Sequence, residues 1–178
     1  IYETSTGDTP YMYSHPRWMC PSCQSIEPIL GDHDVDAVYS DIAGGSGNTI
    51  QSGSSFAHLG SGWGNYMSGA TAGVLVGGKR NIISASTYAF LGGGLKNTIS
   101  QHISEEPLKN NNYTALVGGQ YNGISASTHS FLGGGYQNTI TGAGYSTLVG
   151  GRENVISGTS AAAGYADGTI GGGYMNYL

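Results

Sequence analysis

Residues 75–99 read LVGGKRNIISASTYAFLGGGLKNTI, and residues 116–140 read LVGGQYNGISASTHSFLGGGYQNTI. Each holds one phrase twice: an aliphatic residue, a Gly-rich corner, an Asn and a second aliphatic. Outward from this pair the phrase recurs as IAGGSGNTI, LGSGWGNYM, LVGGRENVI and IGGGYMNYL. That makes eight copies, with Asn at Asn48, Asn65, Asn81, Asn97, Asn122, Asn138, Asn154 and Asn176. The intervals are 17, 16, 16, 25, 16, 16 and 22 residues, a base period of 16 with insertions of 1, 9 and 6. Self-similarity at a fixed period marks a repeat architecture. Sixteen residues cannot hold a helix pair, but they make one coil of two short strands and two turns. The chain is therefore expected to be an all-β parallel β-solenoid whose coils stack like on like. The longer intervals place insertions at 100–115 and 157–169, both between the second aliphatic of one coil and the first of the next, hence at one corner of the shaft. Residues 38–178 carry the repeat; residues 1–37 do not share it and read as a connector or cap.

Strand geometry then assigns faces. Alternate residues point to opposite sides, so with Leu75, Leu91, Leu116, Leu132 and Leu148 inward, Val76, Phe90, Val117, Phe131 and Val149 point outward. Coils with Val after the Leu carry Val74, Ala115 or Thr147 before it, whereas coils with Gly92 or Gly133 carry Phe there. Large pairs with small, as a close-packed layer requires. That outer face has almost no charge, and a strand apolar on both faces is usually buried on both. No other segment of the chain is long enough to cover it, so another copy of the chain is the expected partner. The second strand differs: after its inward Ile comes Gln51, Ser68, Ser84, Ser100, Ser125, Thr141 or Ser157, a wet face. The Asn repeated in every coil has two readings, a ladder of amides stacked ~4.8 Å apart or tolerance of a left-handed turn.

Composition narrows the field. The 32 Gly among 178 residues are about 18% against a usual ~7%, and the 10% charged residues stand against a usual ~25%. An ordinary mixed α/β enzyme does not look like this. The missing Gly-X-Y period excludes collagen, and 38% hydrophobic residues argue against a disordered, highly charged chain. No apolar run approaches the ~20 residues that span a bilayer as a helix. The net charge of -5 is uneven: residues 1–41 hold seven acids and one base, -6, and the remainder four acids and five bases, +1. A near-neutral body with scattered bases offers no track for a phosphate backbone. The chain opens at Ile1 without an initiator Met and closes on GGGYMNYL in mid-pattern, so it is expected to be a piece of something longer.

The phrases STLVGGRENVIS (146–157) and SFLGGGYQNTIT (130–141) resemble the GGG-x-x-N repeats of trimeric autotransporter heads of the YadA type and the similar repeats of phage tail fibres. The resemblance covers roughly residues 38–178. It implies a left-handed parallel β-roll, three chains intertwined or side by side about a shared axis, and a role in attachment to a cell-surface glycan or protein. On that footing the partners are two further copies of the chain and other fibre or baseplate proteins, and Val76, Phe90, Val117, Phe131 and Val149 are the trimer interface. The first reading is a structural segment of a viral attachment fibre, a phage tail fibre, carried on the virion. The alternatives are the head of an autotransporter adhesin on a bacterial surface and a non-catalytic part of an enzymatic tailspike. Cys20 and Cys23 separate the first two, because a chain exported through a narrow pore is expected, by that resemblance, to avoid Cys.

Residues with chemistry of their own are few. Cys20 and Cys23 in CPSC read as packed thiols or a disulfide, as half a zinc site completed by His15 and His33, or as a redox pair. The βαβ context of a thioredoxin-type enzyme is absent. Asp32, Asp34 and Asp36 alternate in GDHDVD and would share a strand face, as a solvated acidic edge or a cluster of oxygen ligands suited to calcium. Glycan-cleaving solenoids want paired carboxylates. The repeat body offers only Glu105, Glu106, Glu153 and Asp167, and no paired site is evident, so the chain is not expected to be an enzyme or to hold a cofactor beyond zinc at the Cys pair. Trp63, Tyr113, Tyr121, Tyr136, Tyr165 and Tyr174, at corners and in insertions, could stack on sugar rings. An ice-binding solenoid would want an unbroken Thr ladder, but Thr49, Thr98 and Thr139 are interrupted by Tyr66, Ile82 and Gly123.

Overall fold

A computed structural model of the chain describes residues 33–100, 111–158 and 167–178. Among these residues every regular element is a short strand, and two parallel sheets of eight strands run the length of the stack. The Leu sheet starts at Asp41–Ile42 and climbs through His58–Leu59, Val74–Leu75, Phe90–Leu91, Ala115–Leu116, Phe131–Leu132 and Thr147–Leu148 to Thr169–Ile170. The Ile sheet runs from Asp34–Val35 to Val155–Ser157. Register follows the repeat: Leu75 opposes Leu91, and Leu91 opposes Leu116 across the long interval. Ile83, Ile99, Ile124 and Ile140 likewise stand in line. The chain is a β-solenoid with coils of about 16 residues. A short third side closes each coil, where Ser86–Thr87 pairs with Asn111–Asn112 and single bridges link Val38, Ser55, Thr71 and Thr87.

The stack starts earlier than residue 38. Asp34 and Val35 pair with Thr49 and Ile50, and His33 stands where later coils have Asn, its Nδ1 accepting the Asn48 N–H at 3.3 Å. A His in the Asn slot hid this first half-coil from the repeat. The described rungs break off after Ser100 and after Gly158, each just past an Ile-sheet strand, and resume at Asn111 and Asp167.

Each of the six rungs from Leu59 to Leu148 buries one Leu and one Ile or Met on facing strands, and Ile42 and Ile170 take the Leu place at the two ends. Small residues such as Ala57, Ala70, Ala89, Ala143, Ser86 and Ser127 line the third side. Burying one such Leu or Ile stabilises by about 1.5–3 kcal/mol. A single rung has little more than two, and its floor and ceiling are the neighbouring coils. Stability therefore accrues along the stack, as in any solenoid.

Glycine and Asn work as one device at the corner after the Leu sheet. Gly94 sits at φ +89, and a Cβ there would fall on the carbonyl oxygen of Gly119 in the next coil and lie 2.6 Å from the Asn97 Nδ2. Without that Cβ, Asn97 Nδ2 donates to the carbonyls of Gly93 at 2.8 Å and Gly119 at 2.9 Å, while its Oδ1 accepts the Asn122 N–H at 2.9 Å. The amide thus ties two coils together through backbone. The pattern repeats from Asn48 upward, with direct amide-to-amide bonds added only at Asn122, Asn138, Asn154 and Asn176. The left-handed residue is not the Asn but the one before it: Gly47, Gly64, Arg80, Lys96, Tyr121, Gln137, Glu153 and Met175 all have φ between 53 and 64. Turn tolerance therefore does not explain the Asn.

The left-handed positions have their own logic. Most N–H groups bond forward to the next coil, as Lys79 does to Gly94. A residue in the left-handed region flips its peptide and bonds backward, as Arg80 does to Trp63 and Tyr88 to Thr71, both at 2.9 Å. Corner backbone thus stays paired despite a conformation that costs a side-chain-bearing residue roughly 1–2 kcal/mol.

Candidate functional site: an apolar face and two aromatic corners

The outer face of the Leu sheet is apolar over its middle five rungs. Val74 and Val76, Phe90, Ala115 and Val117, Phe131, and Thr147 and Val149 stand in register along it. In the single chain Val76 and Val117 are 48% exposed and Val149 54%. Phe90 and Phe131 are 38% and 37% exposed, because each ring bends over the Gly two residues on. A Cβ at Gly92 or Gly133 would meet the Phe90 or Phe131 ring at 3.4 or 3.3 Å, and also the Val117 or Val149 carbonyl oxygen of the next coil. The double period therefore has a steric cause in ring and backbone alike. At the N-terminal end the same face turns polar, where His58 Nδ1 meets the Asp41 carboxylate at 3.0 Å.

Two corners carry aromatic columns of opposite character. At the corner before the Leu sheet, the left-handed residues are Tyr39, Phe56, Ala72, Tyr88, Tyr113, His129 and Tyr145. Tyr39 stacks on Phe56 at 5.2 Å. Tyr88, Tyr113, His129 and Tyr145 form a continuous pile with centroids 5.0, 5.0 and 4.7 Å apart and planes within 19°. Ala72 interrupts it. Tyr113 and His129 turn both faces to neighbouring rings, so only their edges meet solvent. Tyr113, expected as a sugar contact, lies inside this pile. The pile has the 25, 16 and 16 spacing of the Asn column, a signal the phrase-based reading passed over because it falls between phrases.

The Gly-rich corner holds Trp63, Tyr121, Tyr136 and Tyr174, the other expected contacts that are described, and with them every described Lys and Arg. Lys79 Nζ lies 4.7 Å from the Trp63 ring centre and the Arg80 guanidinium 4.9 Å. Lys96 sits over Tyr121 at 5.2 Å, and Arg152 over both Tyr136 at 5.6 Å and Tyr174 at 5.3 Å. Tyr121 and Tyr136 meet edge to face, 84° apart. One acid accompanies them: Glu153 accepts from Arg152 Nε at 2.9 Å and raises the guanidinium pKa from its ordinary value. Reading the two residues before each Asn as a column, rather than each Lys or Arg as a scattered base, would have revealed this edge.

His15, Cys20, Cys23, Asp32, Glu105, Glu106 and Tyr165 lie outside the described residues. His33 belongs to the solenoid, where its Nδ1 serves the backbone of Asn48. Asp34 and Asp36 are exposed on the outer face of the Ile sheet. Among the described residues no three His, Cys, Asp or Glu side chains gather as a metal would require. Compared with protein-family models and with curated proteins, the chain matches none.

Proposed function

We propose that this chain is one protomer of a homotrimeric attachment fibre, a rigid shaft or head segment of a viral tail fibre of the phage type, and that its work is binding rather than catalysis. The observation that carries this reading is the apolar outer face of the Leu sheet, five rungs long and unbroken by charge from Val74 to Val149. Left in water it would expose Val and Phe in a continuous strip, which a monomeric protein rarely maintains. Self-association covers it with an identical strip in register, and a three-fold arrangement brings one such face from each chain to a shared axis. Light scattering tests it. The parent is expected at three times its 18.3 kDa chain mass. Val117→Asp places a charge from each subunit in the apolar contact, at several kcal/mol each, and is expected to abolish assembly. Ser125→Asp, on the Ile-sheet face, is expected to keep it. A parent of single-chain mass, or a Val117→Asp variant that keeps mass and Tm, removes the shared-axis reading.

A further inference from the structure

We infer that the Gly-rich corner is a binding edge for an acidic polysaccharide laid along the shaft. This rests on the attachment reading for its biological setting but on separate residues for its chemistry. The four described bases, Lys79, Arg80, Lys96 and Arg152, share one corner column, and all are exposed. Each lies over a Trp or Tyr ring, which holds the cation in place and leaves its outer side free. Glu153 is the single acid among them, already paired to Arg152; the remaining described acids, Asp34, Asp36, Asp41 and Asp167, lie on other positions of the coil.

Spacing selects the partner. Lys79 and Arg80 occupy one rung, Lys96 the next and Arg152 the third above that, through the bridged column Lys79, Leu95, Gln120, Tyr136 and Arg152. At ~4.8 Å per rung the cations cover ~19 Å, while duplex DNA carries a charge every ~1.7 Å. A duplex would bring several times more charge than this edge can answer. A polysaccharide with about one acidic group per sugar comes nearer to it, and the edges of Tyr121 and Tyr136, on the rungs between, offer amphipathic surface to the sugar between cation contacts.

The purified full chain is tested for binding to polygalacturonate, dextran sulfate, uncharged dextran and a single-stranded oligonucleotide. Binding to either acidic polymer, weakened by added salt and absent for dextran, is the expected result; the two polymers tell carboxylate from sulfate recognition. Lys96→Gln with Arg152→Gln is expected to weaken it by about tenfold, 1.4 kcal/mol, with an unchanged melting curve. Tyr113→Ala, in the other corner, is expected to leave it alone. No affinity for either acidic polymer, equal affinity for dextran, indifference to the double substitution, or tighter binding of the oligonucleotide overturns the inference. A single-chain mass with the edge still binding would sink only the trimer; a trimer blind to both acidic polymers would sink only the edge.

Discussion

The two aromatic corners rise on the same rungs, yet their rings do opposite work. At the corner before the Leu sheet, Tyr88, Tyr113, His129 and Tyr145 face one another at close to the coil spacing, so the column satisfies itself and stiffens the stack. At the Gly-rich corner Trp63, Tyr121, Tyr136 and Tyr174 face cations, and Tyr121 and Tyr136 turn edge to face. What frees the second corner from a structural duty is the Asn beneath it, which already joins the coils through backbone. A repeat that carries its stability in buried amides can vary the side chains outside them. Where no such amide lies beneath, the rings supply the cohesion.

The sharpest break in that comparison is Asn97→Ala. It strands the Gly93 carbonyl and the Asn122 N–H, groups that cost about 1–3 kcal/mol apiece when unpaired, while the Gly119 carbonyl keeps the Leu95 N–H. A loss of about 2 kcal/mol or more is expected, lowering Tm by about 4 °C or more at this chain length. Tyr121→Ala, on the same corner but outside the amide, gives up one edge-to-face ring contact and the Lys96 cation, and is expected to cost less, about 1 kcal/mol or 2–4 °C in Tm. If calorimetry ranks the two the other way, the amide is not what holds this corner.

Much of this was legible from the phrase alone, and the reasons are physical. A 16-residue coil has room for one inward Leu and one inward Ile, so alternation dictates which neighbours point out, and Val76, Phe90 and Val117 do so. The Thr49, Tyr66, Ile82 and Thr98 column stands in the register that the period implies. Less legible was anything that depends on peptide orientation. The sequence shows Asn after Gly but not that the residue between them, Arg80 or Lys96, takes the left-handed turn and throws its side chain outward beside the ring of a neighbouring coil. The start of the stack was masked by a substitution that keeps function while changing letters, His33 accepting the N–H that an Asn oxygen accepts elsewhere.

Within the self-satisfied column, Tyr113→Ala removes two stacked contacts, to Tyr88 and His129. Aromatic pairs add about 0.5–1.5 kcal/mol each beyond area burial. A loss of about 1–3 kcal/mol is expected in chemical denaturation. An unchanged midpoint would mean that the pile is a by-product of the corner and not a source of cohesion.

Ala72 offers the smallest and most discriminating change. It sits in the same column, at φ 51 against 52 for Phe56 and 54 for Tyr88, so the backbone already has the conformation its aromatic neighbours use. Its N–H bonds back to Ser55 as Tyr88 bonds back to Thr71. The two stacks, Tyr39 with Phe56 and Tyr88 through Tyr145, are separated only by this methyl group. Ala72→Tyr would therefore bridge them with no new backbone demand beyond the one Ala meets, adding up to two ring contacts against the entropy of ordering one more side chain. A net gain of about 1 kcal/mol, about 2–4 °C in Tm, is expected. Ala72→Gly serves as the control, because it relieves the left-handed residue without supplying a ring. If the Tyr variant melts no higher than the parent, or Gly matches it, the rings do not join the coils and the contrast between the two corners has another cause.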